Sequence, residues 1–140
     1  MATELLTPPE SERELLVLEV GCGREAPAIV RTAFRQIEDL GAARDDAIVV
    51  ASELVTNAVV HSGGSSADTI LVRVVLIRGA VSISVHDPAL SGGTPHVRDT
   101  DPTQVGGRGL WVVKQLARRW GFELERGHRV WADVAAGRDQ

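Results

Sequence analysis

The apolar positions of this chain change their period several times, and each change marks an element. Leu15 to Val20 is a short, mainly apolar run that stops at Gly21-Cys22-Gly23, which predicts a strand and then a turn. Pro27 follows, placed where the first turn of a helix tolerates a missing N–H. Ile29, Ala33, Phe34 and Ile37 then recur at helical spacing, and Gly41 is expected to close that helix. A second helix is predicted from about Arg44. Asp45 and Asp46 in its first turn complement the helix dipole, Ile48, Ala51, Leu54, Val55 and Ala58 form its apolar face, and His61-Ser62-Gly63-Gly64 stops it.

Residues 70–77 and 81–86 read as two strands joined by Arg78-Gly79-Ala80, a link short enough to require an antiparallel hairpin. In the second strand Val81, Ile83 and Val85 alternate with Ser82, Ser84 and His86, so one face is covered and the other is solvated or polar-lined. Residues 88–109 carry five glycines and three prolines and predict a long loop, of a length that is usually functional or mobile. A third helix is expected from about Leu110 to Trp120, with two short strands at 122–126 and 129–134. This order predicts an α/β (α+β) two-layer sandwich, with helices on one face of a mainly antiparallel, mixed sheet.

A length of 140 residues fits one domain with a core of its own, expected over residues 13–136, with tails at 1–12 and 137–140. The formal net charge of −4 argues against nucleic acid as a direct partner, since phosphate recognition requires a basic surface. The single cysteine, Cys22, excludes an intramolecular disulfide and suits a reducing compartment. Met1 to Glu10 lacks the basic and apolar regions of a signal peptide, and no apolar run approaches the ~20 residues of a membrane span. The expectation is a cytoplasmic protein with no membrane partner. His96 and His128 show no metal-ligand spacing, and no nucleophilic triad is visible. Trp111, Trp120 and Trp131 read as core or partner-facing packing, and Cys22 as a small turn or buried residue.

Three features carry candidate chemistry. Glu53, Asn57 and His61 are spaced four residues apart and share one helical stripe. An amide oxygen and a carboxylate are hard ligands suited to Mg²⁺ beside substrate phosphates, and a carboxylate can also deprotonate an attacking hydroxyl. A solvated helix face would explain the same stripe. Asp87 ends a strand, where it could accept a hydrogen bond from an adenine amino group or simply shape the turn before Pro88. Gly106-Gly107-Arg108-Gly109-Leu110 leads into a helix; its backbone could approach phosphates closely, with Arg108 adding a charged contact, or it could be a flexible linker.

The order and spacing of these features resemble the N box and the two glycine boxes of the GHKL ATPases. Glu53-Leu54-Val55-Thr56-Asn57-Ala58 with Gly107-Arg108-Gly109-Leu110 resembles the anti-sigma-factor serine kinases in particular, and Trp120-Gly121-Phe122 with Val130-Trp131-Ala132 resembles small standalone members. The resemblance covers roughly residues 24–135. It implies a Bergerat fold that binds ATP with Mg²⁺. Asn57 would hold the metal, Glu53 would be the catalytic base, and Asp87 would hold adenine. Gly106, Gly107, Arg108, Gly109 and Leu110 would surround the phosphates, with residues 88–106 as a lid. His61 would either line the phosphate region or cap its helix.

Two positions depart from the family's pattern. Ala89 stands where the family usually has glycine two residues after the aspartate, which predicts weakened nucleotide affinity. Arg129 precedes Val130-Trp131 where the family often has a threonine near the adenine. The resemblance implies a cytoplasmic homodimeric serine/threonine kinase that phosphorylates an anti-sigma-factor antagonist of STAS type, sequesters a sigma factor, or does both. The alternative is a non-catalytic module of the same fold that acts by protein–protein contact. A full histidine kinase is not expected, since no phosphoacceptor helix pair or sensor segment is read here.

Overall fold

The alternation along Ala80–Asp87 sets the architecture. Val81, Ile83 and Val85 are buried beneath helices, and Ser82 and His86 on the opposite face are only half-buried. The computed structural model describes residues 12–62, 69–87, 107–123 and 128–136. Its strands are β1 (Arg13–Gly21), β2 (Thr69–Ile77), β3 (Ala80–Asp87), β4 (Arg119–Glu123) and β5 (His128–Ala135). Its helices are α1 (Ala26–Arg35), α2 (Arg44–Ser62) and α3 (Gly107–Leu116), with a 3-10 turn at Gly41–Ala43. The tails at 1–11 and 137–140 and the expected lid at 88–106 lie outside the described residues.

The sheet order is β1-β2-β3-β5-β4, and every neighbouring pair is antiparallel. The expected α+β sandwich is therefore present, and its described strands form no mixed sheet. The register stacks apolar side chains in rows: Leu18 beside Val72, Val72 beside Val85, and Ile83 beside Ala132. Each fully buried Val or Ile in these rows contributes roughly 1.5–3 kcal/mol of apolar burial. All three helices cover this one face. α1 touches β1 and α2, α2 lies over β3 and β5, and α3 packs against α2 and β4.

Several boundaries differ from the sequence expectation. Gly41 does not close α1, which ends at Arg35. Arg44 reaches back from the start of α2 to the carbonyls of Phe34, Arg35 and Ile37, so a cation satisfies the orphan acceptors that a glycine turn would otherwise serve. Gly41 instead opens the 3-10 turn with φ 56°. The buried face of α1 is Ala26, Val30 and Phe34, and Ile29 is 45% exposed. One stripe of α1 serves both β1 and α2, and Ile29 lies a residue off it.

α3 begins at Gly107 and ends at Leu116, earlier at both ends than expected. Arg118 N–H donates to the Asp133 carbonyl at 2.8 Å, turning the chain so that Trp120 enters β4 opposite Ala132. Sheet pairing thus outweighs the helical spacing of Trp120. The predicted hairpin of β2 and β3 is present, with Gly79 at φ 77° in its turn. No described helix is long and apolar enough to cross a membrane.

Candidate functional site

Helix α2 places the polar stripe. Ala47, Val50, Ala51, Leu54 and Val55 are buried against the sheet. At ~100° per residue, Ser52 falls on one flank of that face, and Glu53 and Asn57 fall on the other. Arg31 of α1 donates a hydrogen bond to Ser52 Oγ at 2.9 Å, which identifies the Ser52 flank as the α1 side. Glu53 and Asn57, both half-buried, therefore lie on the α3 side. The backbone of His61 continues the stripe; its side chain lies outside the described residues.

Asp87 ends β3 on the same face as Val81, Ile83 and Val85 and is 1% exposed. The carboxylate engages the surrounding fold, and its Oδ2 is buried with no hydrogen-bond partner among the described residues. A buried carboxylate oxygen seeks a donor, because burial without one is costly. That requirement fits the amino group of a purine.

The two ends of the sheet are now distinct. Gly21 pairs with Thr69, and Asp87 pairs with His128, which together define one end. Cys22, fully buried just past β1, donates its thiol to the Ala58 carbonyl of α2 at 3.9 Å. The C-terminal half of α2 therefore lies at the Asp87 end. α3 terminates beside Asp133, which pairs with Ser82, five residues back along β3 from Asp87. The ten residues of α3 span ~15 Å against ~17 Å for five residues of β3, so α3 is long enough to reach the Asp87 end.

The seam between α2 and α3, over this face of the sheet, is the candidate cleft. Gly107, Arg108, Gly109 and Leu110 form the first turn of α3 and do not precede it, which corrects the expected helix start. The free N–H groups of that turn suit phosphate oxygens. The side chains of Arg108 and Leu110, together with Ala89 and Gly106, lie outside the described residues. Among the described residues no three His, Cys, Asp or Glu side chains gather as a metal site. Beside bound phosphates, Mg²⁺ is usually held by one or two protein oxygens together with phosphate oxygens, a role open to the Asn57 amide. The residues present fit nucleotide and metal in that form.

Arg129 stands on the opposite face of β5, paired with Glu123 at 3.2 Å, and Val130 takes the helix-facing position. Strand parity points Arg129 away from the helix-covered face, as it does its partner His86. The open face of the sheet carries a separate groove of about 280 Å³, lined by Ile77, Ser82, Trp131 and the ion pairs Arg119–Asp133 and Arg129–Glu123. It lies on the far side of the sheet from the cleft. Sequence reasoning did not foresee the seats that Arg31 and Cys22 provide for α2, because the paired residues are 21 and 36 positions apart and share no local pattern.

A comparison with known families matches residues 24–132 to the histidine kinase-like ATPase domain. A comparison with curated proteins finds no match. The matched segment runs from the turn after β1 into β5, and so contains every described part of the cleft. With its antiparallel sheet, one-sided helices and a cleft suited to a purine and phosphates, the chain belongs to the histidine kinase-like ATPase family and carries an ATP-binding domain of the GHKL type.

Proposed function

We propose that this domain binds ATP with Mg²⁺ in the cleft between α2 and α3 and transfers the terminal phosphoryl group to a serine or threonine of a partner protein. The observation that carries the reading is the placement of Glu53 and Asn57 on the flank of α2 that faces α3, at the end of the sheet where Asp87 is buried. The anti-sigma-factor kinase pattern of the N box and the glycine turn supports the reaction type.

In this reading Asp87 accepts a hydrogen bond from the adenine amino group and so selects the base. The first turn of α3 donates backbone N–H groups to phosphate oxygens. Asn57 would hold Mg²⁺ through its amide oxygen, and the ion when bound would neutralise phosphate charge. Glu53 takes the proton from the attacking hydroxyl as the new O–P bond forms and the bond to the leaving diphosphate breaks, giving phosphoprotein and ADP. The protein substrate is an anti-sigma-factor antagonist of STAS type. A sigma factor is the sequestered partner, and a cytoplasmic homodimer is the working form.

Calorimetric titration with ATP and ADP, with and without Mg²⁺, tests the cleft. Saturable Mg²⁺-dependent binding that Asn57→Ala abolishes is the expected result, and tight binding retained by that variant removes the metal assignment. A second reading, a non-catalytic module, is favoured by Ala89 in the adenine box. Phosphotransfer to a serine-bearing partner separates the two: Glu53→Ala keeps nucleotide binding and loses transfer only if the domain is a kinase.

A further inference from the structure

The chain has five aromatic residues, and two of them stand in water: Trp111 is 59% exposed and Phe122 is 41% exposed. Both belong to the α3–β4 side of the molecule. Val113 is buried against the core and Leu116 packs on it, which turns Trp111, Lys114 and Gln115 outward as one exposed face of α3. Phe122 sits on the helix side of edge strand β4, which runs back beneath α3. By axial rise, Phe122 lies ~10 Å along β4 from its start, level with the part of α3 that holds Trp111.

The charge around this patch opposes that of the protein. Among the described side chains of residues 107–136, four Lys or Arg stand against two Asp or Glu, in a chain whose net charge is −4. Of those acids, Glu123 is paired with Arg129 and Asp133 with Arg119. Lys114 and Arg118 are exposed and form no ion pair among the described residues. Arg118 lies alongside the β2–β3 turn, with its Nη1 3.7 Å from where a Cβ of Gly79 would stand, and Arg78 of that turn is exposed as well. An exposed tryptophan flanked by cations is the composition of an interface anchor rather than of a solvated helix face.

We propose that the outer face of α3, with Trp111 as anchor, Phe122 beside it, and Lys114 and Arg118 as the charged rim, is a docking surface for an acidic partner-protein segment that carries apolar side chains. The cations meet its carboxylates, and the two aromatics meet its apolar positions. A second copy of this chain is a poor occupant. Most of the described exposed acids, among them Glu14, Glu19, Glu38, Asp45 and Asp46, lie on β1 and around the start of α2, a different part of the surface, so the contact would be head-to-tail and would not close a dimer. Nucleic acid is disfavoured by the overall acidic charge. Trp111 lies only ~6 Å along the helix axis from the first residue of α3, so a docked segment would rest beside the mouth of the cleft. The surface is independent of whether the cleft transfers phosphate.

Fluorescence anisotropy of the full chain with three labelled probes tests the assignment: an amphipathic peptide with a leucine stripe and glutamate flanks, the same peptide with lysine for glutamate, and an oligothymidine. The acidic peptide should bind saturably and more weakly as salt rises, with affinity lost about tenfold in Trp111→Ala and again in the double variant Lys114→Glu, Arg118→Glu. Val17→Ala, at an exposed apolar site on the other face of the sheet, should bind like the parent. Thermal melts confirm that each variant is folded. Absence of peptide binding, equal binding of the lysine peptide, preference for the oligonucleotide, or indifference to Trp111→Ala would each overturn the proposal.

Discussion

The two faces of the sheet are built from alternate residues of the same strands, yet they solve opposite problems. On the helix-covered face, β3 presents Val81, Ile83 and Val85, and the apolar row ends in the buried carboxylate of Asp87. On the open face the charges meet one another: Arg73 with Glu14, Arg119 with Asp133, and Arg129 with Glu123. Gly121 leaves room there for the Trp131 ring, with the Arg119 guanidinium 5.5 Å above the ring centre. A charge at the edge of an apolar layer is costly to keep, whereas the exposed pairs Arg73–Glu14 and Arg129–Glu123 are inexpensive and carry little energy; Asp133 is the one buried member of the ladder.

This contrast can be broken by substitution. The largest effect belongs to the covered face: Ile83→Ala should lower unfolding stability by about 2–5 kcal/mol in urea melts, because it opens a cavity in a fully buried row. Its neighbour Ser82→Ala, on the open face, should stay within about 0.5 kcal/mol. Next comes the end of the same row. Asp87→Ala should weaken ATP binding by about 10- to 100-fold in calorimetry, the loss of one hydrogen bond to a charged acceptor. If the affinity is unchanged, the base is held elsewhere. On the open face the largest effect should come from Gly121→Ala, since the added Cβ would stand 2.9 Å from the Trp131 ring. Overpacking of that kind costs about 1–3 kcal/mol and should appear as a lowered melting temperature. The smallest effect is expected for Arg129→Ala, about 0.2–1 kcal/mol and less at high salt, with ATP affinity unaltered. A change in ATP affinity there would show that the two faces are coupled.

Much of the covered face was legible. The alternation of β3, the hairpin at Gly79, and the acidic start and apolar stripe of α2 are local patterns, and the structure contains all three. The polar stripe on α2 was legible as a stripe, since helical spacing alone aligns Glu53 and Asn57. Its direction was not. That depends on α1 meeting Ser52 through Arg31, and on α3 crossing the far side of α2. The errors have the same origin. Gly41 carries a helix-closing signal, but Arg44 performs the capping, and Trp120 fits a helical pattern until β5 draws it into the sheet.

Local spacing specifies the element types, the apolar faces of β3 and α2, and membership of the GHKL superfamily, because each follows from the identity of residues a few positions apart. The tertiary fold alone set the C-terminal half of α2 at the Asp87 end of β3, with α3 packed against α2. It also decided that Arg129 turns away from the helix-covered face and that Trp111 is left in water. Those outcomes depend on strand register and helix order, which are fixed by contacts between residues distant in the chain and leave no trace in local spacing.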